Sequence, residues 1–151
     1  MSIGAWVVVA AVAAALAFGG YRALTDGRFR GTHRVGHADD SPVVGPVETP
    51  WAHVTASVPD ATLGAKATLL QFSSAFCAPC RATRRTLSEV AGLVPGVEHV
   101  EVDAEHHLEL VRRLGILRTP TTLVLDGAGR EITRAAGAPR KEQVLAALGR
   151  V

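Results

Sequence analysis

Cys77 and Cys80 are the only two cysteines among 151 residues, and they are separated by Ala78-Pro79. A lone Cys-x-x-Cys pair is a complete thiol-disulfide exchange unit. One thiolate attacks a substrate disulfide, and the second thiol resolves the resulting mixed disulfide from one helical turn away. The reactive form is the thiolate, so its surroundings must favour negative charge. The start of a helix does so through unpaired backbone N–H groups and the helix dipole. Arg81 and Arg84 follow the pair and add positive potential where they lie near the sulfur. Pro79 is tolerated in a first turn, where the N–H groups lack helical partners. Cys80, a turn deeper, is the more shielded thiol. Cys77 is therefore assigned the attack and Cys80 the resolution.

The flanking pattern supplies the elements that would position this pair. Thr68 to Ser74, an apolar, β-favouring run, reads as a buried central strand ending just before the cysteines. Ala78 to Leu93 reads as a helix, stopped near Pro95-Gly96. Ala52 to Val58 reads as a short first strand, followed by Pro59-Asp60. Val97 to Asp103 reads as a strand. Leu108 to Leu114 reads as a helix with Gly115 as its stop. Thr121 to Leu125 and Glu131 to Ala135 read as a hairpin through Asp126-Gly127-Ala128-Gly129. Lys141 to Leu148, preceded by Pro139, reads as the last helix. The order β-β-α-β-α-β-β-α implies an α/β domain with a mixed sheet and helices on both faces.

Upstream of this domain the composition changes. Ile3 to Tyr21 is uncharged and mostly Ala and Val, with Trp6 and Tyr21 near its ends. As a helix it spans roughly 28 Å, close to a bilayer core, with aromatic residues suited to both interfaces. A cleaved signal peptide is the rival reading. Ala15-Leu16-Ala17 resembles a cleavage site, but Met1-Ser2-Ile3-Gly4 has no basic residue. The division that follows is an anchor at 1–24, a linker at 25–50 broken by Pro42, Gly45, Pro46 and Pro50, and a domain at 51–151. Arg22, Arg28, Arg30 and Arg34 all lie C-terminal to the apolar run, which by the positive-inside rule places the domain in the cytoplasm. An extracytoplasmic placement is the alternative. The formal net charge is only +2. No aromatic residues interleave with a basic stripe, so nucleic-acid binding is not expected.

From these landmarks the chain resembles the thioredoxin family over about residues 52–150. Phe72-Ser73-Ser74-Ala75-Phe76-Cys77-Ala78-Pro79-Cys80-Arg81 looks like the family's active-site strand and loop. Val102-Asp103 looks like the end of its central strand. Leu114-Gly115-Ile116-Leu117-Arg118-Thr119-Pro120-Thr121 looks like its cis-proline segment, and Gly137 matches a family glycine. The resemblance implies the thioredoxin fold, here preceded by a single transmembrane helix. It implies a cis Thr119-Pro120 bond beside the disulfide and substrate contacts from Phe76, Ala78, Pro79, Thr119 and Pro120. The backbone before the proline would pair with a substrate peptide as an added strand. The sequence departs from the family at several points. Phe76 and Ser73 replace tryptophans, and Ala78 replaces a glycine. Gln71 replaces a buried carboxylate thought to relay a proton from the resolving thiol, and glutamine cannot accept that proton. His99 stands where a lysine is common. It is either another base for Cys80 or an ordinary strand histidine. These departures bear on whether a standard thioredoxin reductase recharges the domain.

The functional expectation is a membrane-anchored protein-disulfide reductase with no cofactor. It would act on disulfide-bearing protein substrates and be recharged by an unidentified electron donor. The alternatives are an exported reductase or oxidant, and a binding module whose cysteines only close a structural bridge. A zinc site is disfavoured. Four ligands are needed; His33 and His37 are suitably spaced but lie in the linker, and His106-His107 are adjacent, a poor bite. Those two histidines are expected to cap or precede a solvated helix, and Arg84-Arg85 and Arg112-Arg113 to form solvated helix faces.

Overall fold

In a computed structural model of the chain, residues 3–25, 27–31 and 49–151 are described. Of the expected linker breakers, Pro42, Gly45 and Pro46 lie outside them, as do His33 and His37, whereas Pro50 lies inside. The elements are α1 (Ile3–Thr25), β1 (Phe29–Gly31), α2 (Pro50–Ser57), β2 (Ala67–Ser73), α3 (Ala78–Leu93), β3 (Val97–Asp103), α4 (Leu108–Arg113), β4 (Thr121–Asp126), β5 (Glu131–Ala136) and α5 (Lys141–Leu148).

Five strands form one mixed sheet in the order β1-β5-β4-β2-β3. β2 and β3 run parallel, from Ala67↔Val97 to Ser73↔Asp103. The other neighbours are antiparallel. The parallel pair requires a crossover, which α3 provides. Every residue of β2 and of β4 is buried, as befits central strands covered on both faces.

Alternation along the strands divides the core in two. Leu70 and Phe72 of β2, Leu123 and Leu125 of β4 and Val102 of β3 pack with Val54 of α2 and Leu110 of α4. Leu69 of β2, Val124 of β4 and Val97 of β3 pack with Leu87 and Val90 of α3 and Val144, Ala147 and Leu148 of α5. In α3, Cys80, Thr83, Leu87 and Val90 are its buried residues. Their helical spacing forms one inward stripe, so the second cysteine belongs to the packed face of the helix.

Two expectations are corrected. The segment Ala52 to Val58 is not a strand: it is helical to Ser57, with Val58 as the C-cap. Thr49 is the N-cap, accepting from the Ala52 N–H at 3.3 Å, and Pro50 occupies the first helical position. Both are helix-start chemistry, and they outweigh a short apolar alternation. The sheet's outer antiparallel strand comes instead from the segment read as linker: Phe29, Arg30 and Gly31 pair with Ala135, Arg134 and Thr133. Gly27 enters this strand with φ +73°, a left-handed conformation suited to glycine. Its N–H donates to the Ala136 carbonyl at 3.0 Å.

Ahead of β1, α1 is the one helix among the described residues that is long and apolar enough to cross a membrane. The span Gly4–Arg22 covers 19 residues with mean hydropathy 1.8 and none of it is buried. A signal sequence has the same length and composition.

Candidate active site

β2 ends at Ser73, and the chain crosses the end of the sheet to start α3 at Ala78. Cys77 is the N-cap of α3, and its sulfur accepts the Cys80 N–H at 3.1 Å. Cys77 and Cys80 are joined as a disulfide, with Cα atoms 5.2 Å apart. The two cysteines differ in exposure. Cys77 is half-buried, while Cys80 is 2% exposed. Phe76, Ala78, Pro79 and Arg81 are exposed around them, and Phe76 is almost bare at 99%. Cys77, Cys80, Arg81 and Arg84 line an open cleft of about 330 Å³ together with Ser73, Ser74, Glu101 and Asp103.

The Thr119–Pro120 bond is cis. Pro120 is buried and Thr119 half-buried. The Thr119 hydroxyl lies 3.0 Å from that of Ser74, which ties the proline loop to the loop carrying Cys77. The Pro120 carbonyl accepts the Gly137 N–H at 2.7 Å. Gly137 has φ +103°, a backbone region that L side chains rarely adopt. A glycine therefore closes the other side of the loop.

Beneath the disulfide runs a chain of polar groups. Gln71 is fully buried. Its amide Nε2 donates to the Cys80 backbone carbonyl at 3.0 Å, which leaves Oε1 to accept from His99 Nε2 at 3.1 Å. The neutral His99 ring thus keeps its lone pair on Nδ1, 2.9 Å from the Ser88 hydroxyl, which donates to it. Burial lowers the His99 pKa below its ordinary value of 6.5. The nearby Glu101 carboxylate works against that shift and the Arg84 guanidinium adds to it. His99 is thus joined to the active-site helix through Gln71, and the chain ends on the Cys80 main chain rather than its sulfur. Two hydroxyls on the same side of the sheet, Thr83 and Thr122, are buried without a hydrogen-bond partner.

The charged groups divide into those at the cleft and those away from it. Arg84 pairs with Glu101 at 2.5 Å, and that hydrogen bond, with the Coulombic attraction behind it, raises the arginine's pKa. Much of its charge is therefore already matched. Asp103, at the end of β3, is held below the usual carboxylate range, first by a hydrogen bond from His106 and then by the Glu105 N–H. The Glu105 carboxylate accepts the Ala75 N–H at 3.3 Å and helps fix the active-site loop. His107 is the N-cap of α4 without a side-chain cap bond, and Arg112 pairs with Glu109 on that helix's exposed face.

Ser88, Glu101 and the two unpartnered threonines were not singled out from the sequence. The signal for Ser88 was available only through its helical face, and that for Glu101 only through the β2–β3 register.

A family model for the thioredoxin-like domain matches residues 57–151. The chain belongs to the thioredoxin family. Among characterised relatives, it is 31% identical to Thioredoxin H2-1 of Oryza sativa subsp. japonica over 77 residues, which is 51% of this chain and 55% of that one. Thioredoxin H2-2 of the same plant is 27% identical, over 51% of this chain and 57% of its own. The chain thus spans about half the length of the curated relatives it matches. Thioredoxin NaTrxh from Nicotiana alata superposes with a TM-score of 0.52 at 22% identity, covering 66% of this chain and 83% of that one. Fasciola hepatica thioredoxin gives 0.51 at 23%, covering 58% and 82%. These two structures are similar in fold. The family match stops short of α1, β1 and nearly all of α2.

Proposed function

We propose that this thioredoxin-family chain is a membrane-anchored thiol-disulfide oxidoreductase that reduces protein disulfides. The observation that supports the reading best is the asymmetry of the pair. Cys77 sits half-buried at a helix N-cap on an open cleft, and Cys80 is buried one turn behind it. Helix-terminal placement favours the thiolate of Cys77.

In the reduced enzyme the Cys77 thiolate attacks one sulfur of a substrate disulfide. The substrate's other sulfur leaves as a thiolate and takes up a proton. The Cys80 thiol gives its proton to water, and the resulting thiolate attacks the Cys77 sulfur of the mixed disulfide, so that the second substrate sulfur leaves as a thiolate and takes up a proton, and Cys77–Cys80 closes. Two electrons pass to the substrate, and a dithiol donor must return them. No other cofactor enters. Phe76, Ala78 and Pro79 form the exposed rim that a substrate meets, and Thr119 offers its backbone beside it. Gln71 holds the Cys80 main chain, and His99 holds Gln71. Arg81, on the cleft, supplies positive potential. Helix α1 is the anchor, and the arginines following it favour a cytoplasmic domain.

Trapping tests the chemistry. Cys80→Ser should accumulate mixed disulfides through Cys77, whereas Cys77→Ser should accumulate none and lose reduction of a model disulfide protein such as insulin. If Cys77→Ser traps instead, the roles are reversed. If the unaltered chain reduces no disulfide, the pair is a structural bridge. For the topology, alkaline phosphatase fused after Val151 should be inactive in bacterial cells, and a cytoplasmic fluorescent reporter at the same site should glow.

A further inference from the structure

We infer that the catalytic end of this domain faces the bilayer, so that its thiol partner is a membrane-embedded protein with a disulfide in a juxtamembrane segment. The inference rests on α1 being the anchor, as proposed above, and on how the chain leaves it.

Helix α1 ends at Thr25 and β1 begins at Phe29. Four residue steps reach at most about 14 Å. Even this length is not free. The Gly27 N–H is bonded to the Ala136 carbonyl. The fit there is so close that a Cβ on Gly27 would lie 2.2 Å from the Ala138 carbonyl oxygen. The anchor therefore joins the domain at one fixed place, the turn after β5.

That place is the active-site end of the sheet. β5 finishes at Ala136, opposite Thr121, the first residue of β4. Thr121 in turn pairs with Phe72, one residue from the end of β2. Ala136 also accepts the Arg118 guanidinium at 2.7 Å, and its neighbour Gly137 holds Pro120. With strands about 4.8 Å apart, the start of β1 and the end of β2 are separated sideways by roughly 15 Å. The Asp126–Arg130 turn lies at the far end of β4, whose six residues place it roughly 20 Å further from the anchor's exit.

The surface at the near end suits this placement. Phe76 is 99% exposed and Leu117 95% exposed. Arg22, Arg28 and Arg118 are exposed as well, an arrangement of apolar and cationic groups that matches an interface of anionic headgroups. A soluble globular substrate would have to enter beneath the domain, whereas a disulfide at the foot of a transmembrane segment is presented at the right height.

The full chain is tested in vesicles of phosphatidylcholine and phosphatidylglycerol containing a nickel-chelating lipid. A spin label is placed either on Cys77 in Cys80→Ser or on residue 128 in Cys77→Ser/Cys80→Ser/Ala128→Cys. Relaxation by the surface nickel should be at least threefold stronger at position 77 than at 128. In parallel, the prereduced unaltered chain meets a disulfide peptide coupled to a lipid headgroup through about three or about forty residues. The short-spacer peptide should be reduced at least as fast as the long one. If the chain fails to float with the vesicles, the anchor reading fails and the orientation with it. If it floats but position 128 relaxes as strongly as 77, or only the long-spacer peptide reacts, the orientation alone is overturned. If neither peptide nor insulin is reduced, the redox reading is what has failed.

Discussion

Gln71 grips Cys80 by its main chain: the buried amide donates to the Cys80 carbonyl at 3.0 Å, while its oxygen takes the N–H of His99. The residue in the usual position of a proton-accepting carboxylate is here a bridge between β3 and the first turn of α3. Gln71→Leu keeps the bulk and removes both bonds, leaving the His99 N–H without its acceptor. Losing the two bonds, one made by the fully buried Gln71 amide to the Cys80 carbonyl and one to the half-buried His99, costs about 1–3 kcal/mol in all. Urea unfolding of the oxidised chain should show a loss of that size, and an unchanged midpoint would mean that the bridge contributes nothing to stability.

Acid should loosen the same bridge. Burial depresses the His99 pKa below 6.5, so the folded state holds the neutral ring more firmly than the unfolded state does. The stability this confers is complete above about pH 6.5 and is lost as pH falls through the lower folded value, because the unfolded chain then binds more protons. Between pH 7 and 5 the unaltered chain should lose stability more steeply than His99→Gln. For one proton the difference cannot exceed about 1.4 kcal/mol per pH unit. Parallel slopes would show that another group governs this range.

The unequal exposure of the cysteines gives a direct chemical readout. In the reduced chain, iodoacetamide should modify Cys77 at least tenfold faster than Cys80, as Cys80 is 2% exposed on the packed face of α3. Mass spectrometry of tryptic peptides after brief alkylation measures the ratio. Equal labelling would remove the basis for assigning attack to Cys77.

Thr122 gives a prediction of the opposite sign. It is fully buried in β4, and its hydroxyl has no partner. Valine has nearly the same shape and suits a central strand. Thr122→Val removes an unsatisfied polar group and should raise stability by about 1 kcal/mol or more. A lower denaturation midpoint would mean that the hydroxyl is satisfied in solution by bound water.

The landmarks of the site were legible because each rests on local chemistry. The Cys-x-x-Cys at a helix start, the buried run before it and the Asp126-Gly129 turn need no knowledge of distant residues. The fully apolar character of Leu69, Leu70 and Phe72 marks a strand covered on both faces. Thr49-Pro50 is helix-start chemistry that the strand reading of Ala52 to Val58 leaves out, and it is the local signal for α2. β1 was not legible. Phe29-Arg30-Gly31 has no period of its own and becomes a strand only by pairing with Ala135, Arg134 and Thr133, more than a hundred residues away. The same holds beneath the disulfide. Gln71 reaches His99 because β2 and β3 run parallel with Leu69 beside His99, and no single-sequence pattern states a register.

The outermost strand has a practical consequence for where the chain is cut. β5 would be an exposed edge but for the three residues of β1, which come from upstream of the family's matched span. A soluble version beginning at Trp51 bares the unpaired backbone of Thr133 to Ala135 as a template for a second molecule. Unpaired edges of this kind drive strand-to-strand aggregation. Truncation that spares residues 27–31 removes the apolar helix and keeps the edge closed.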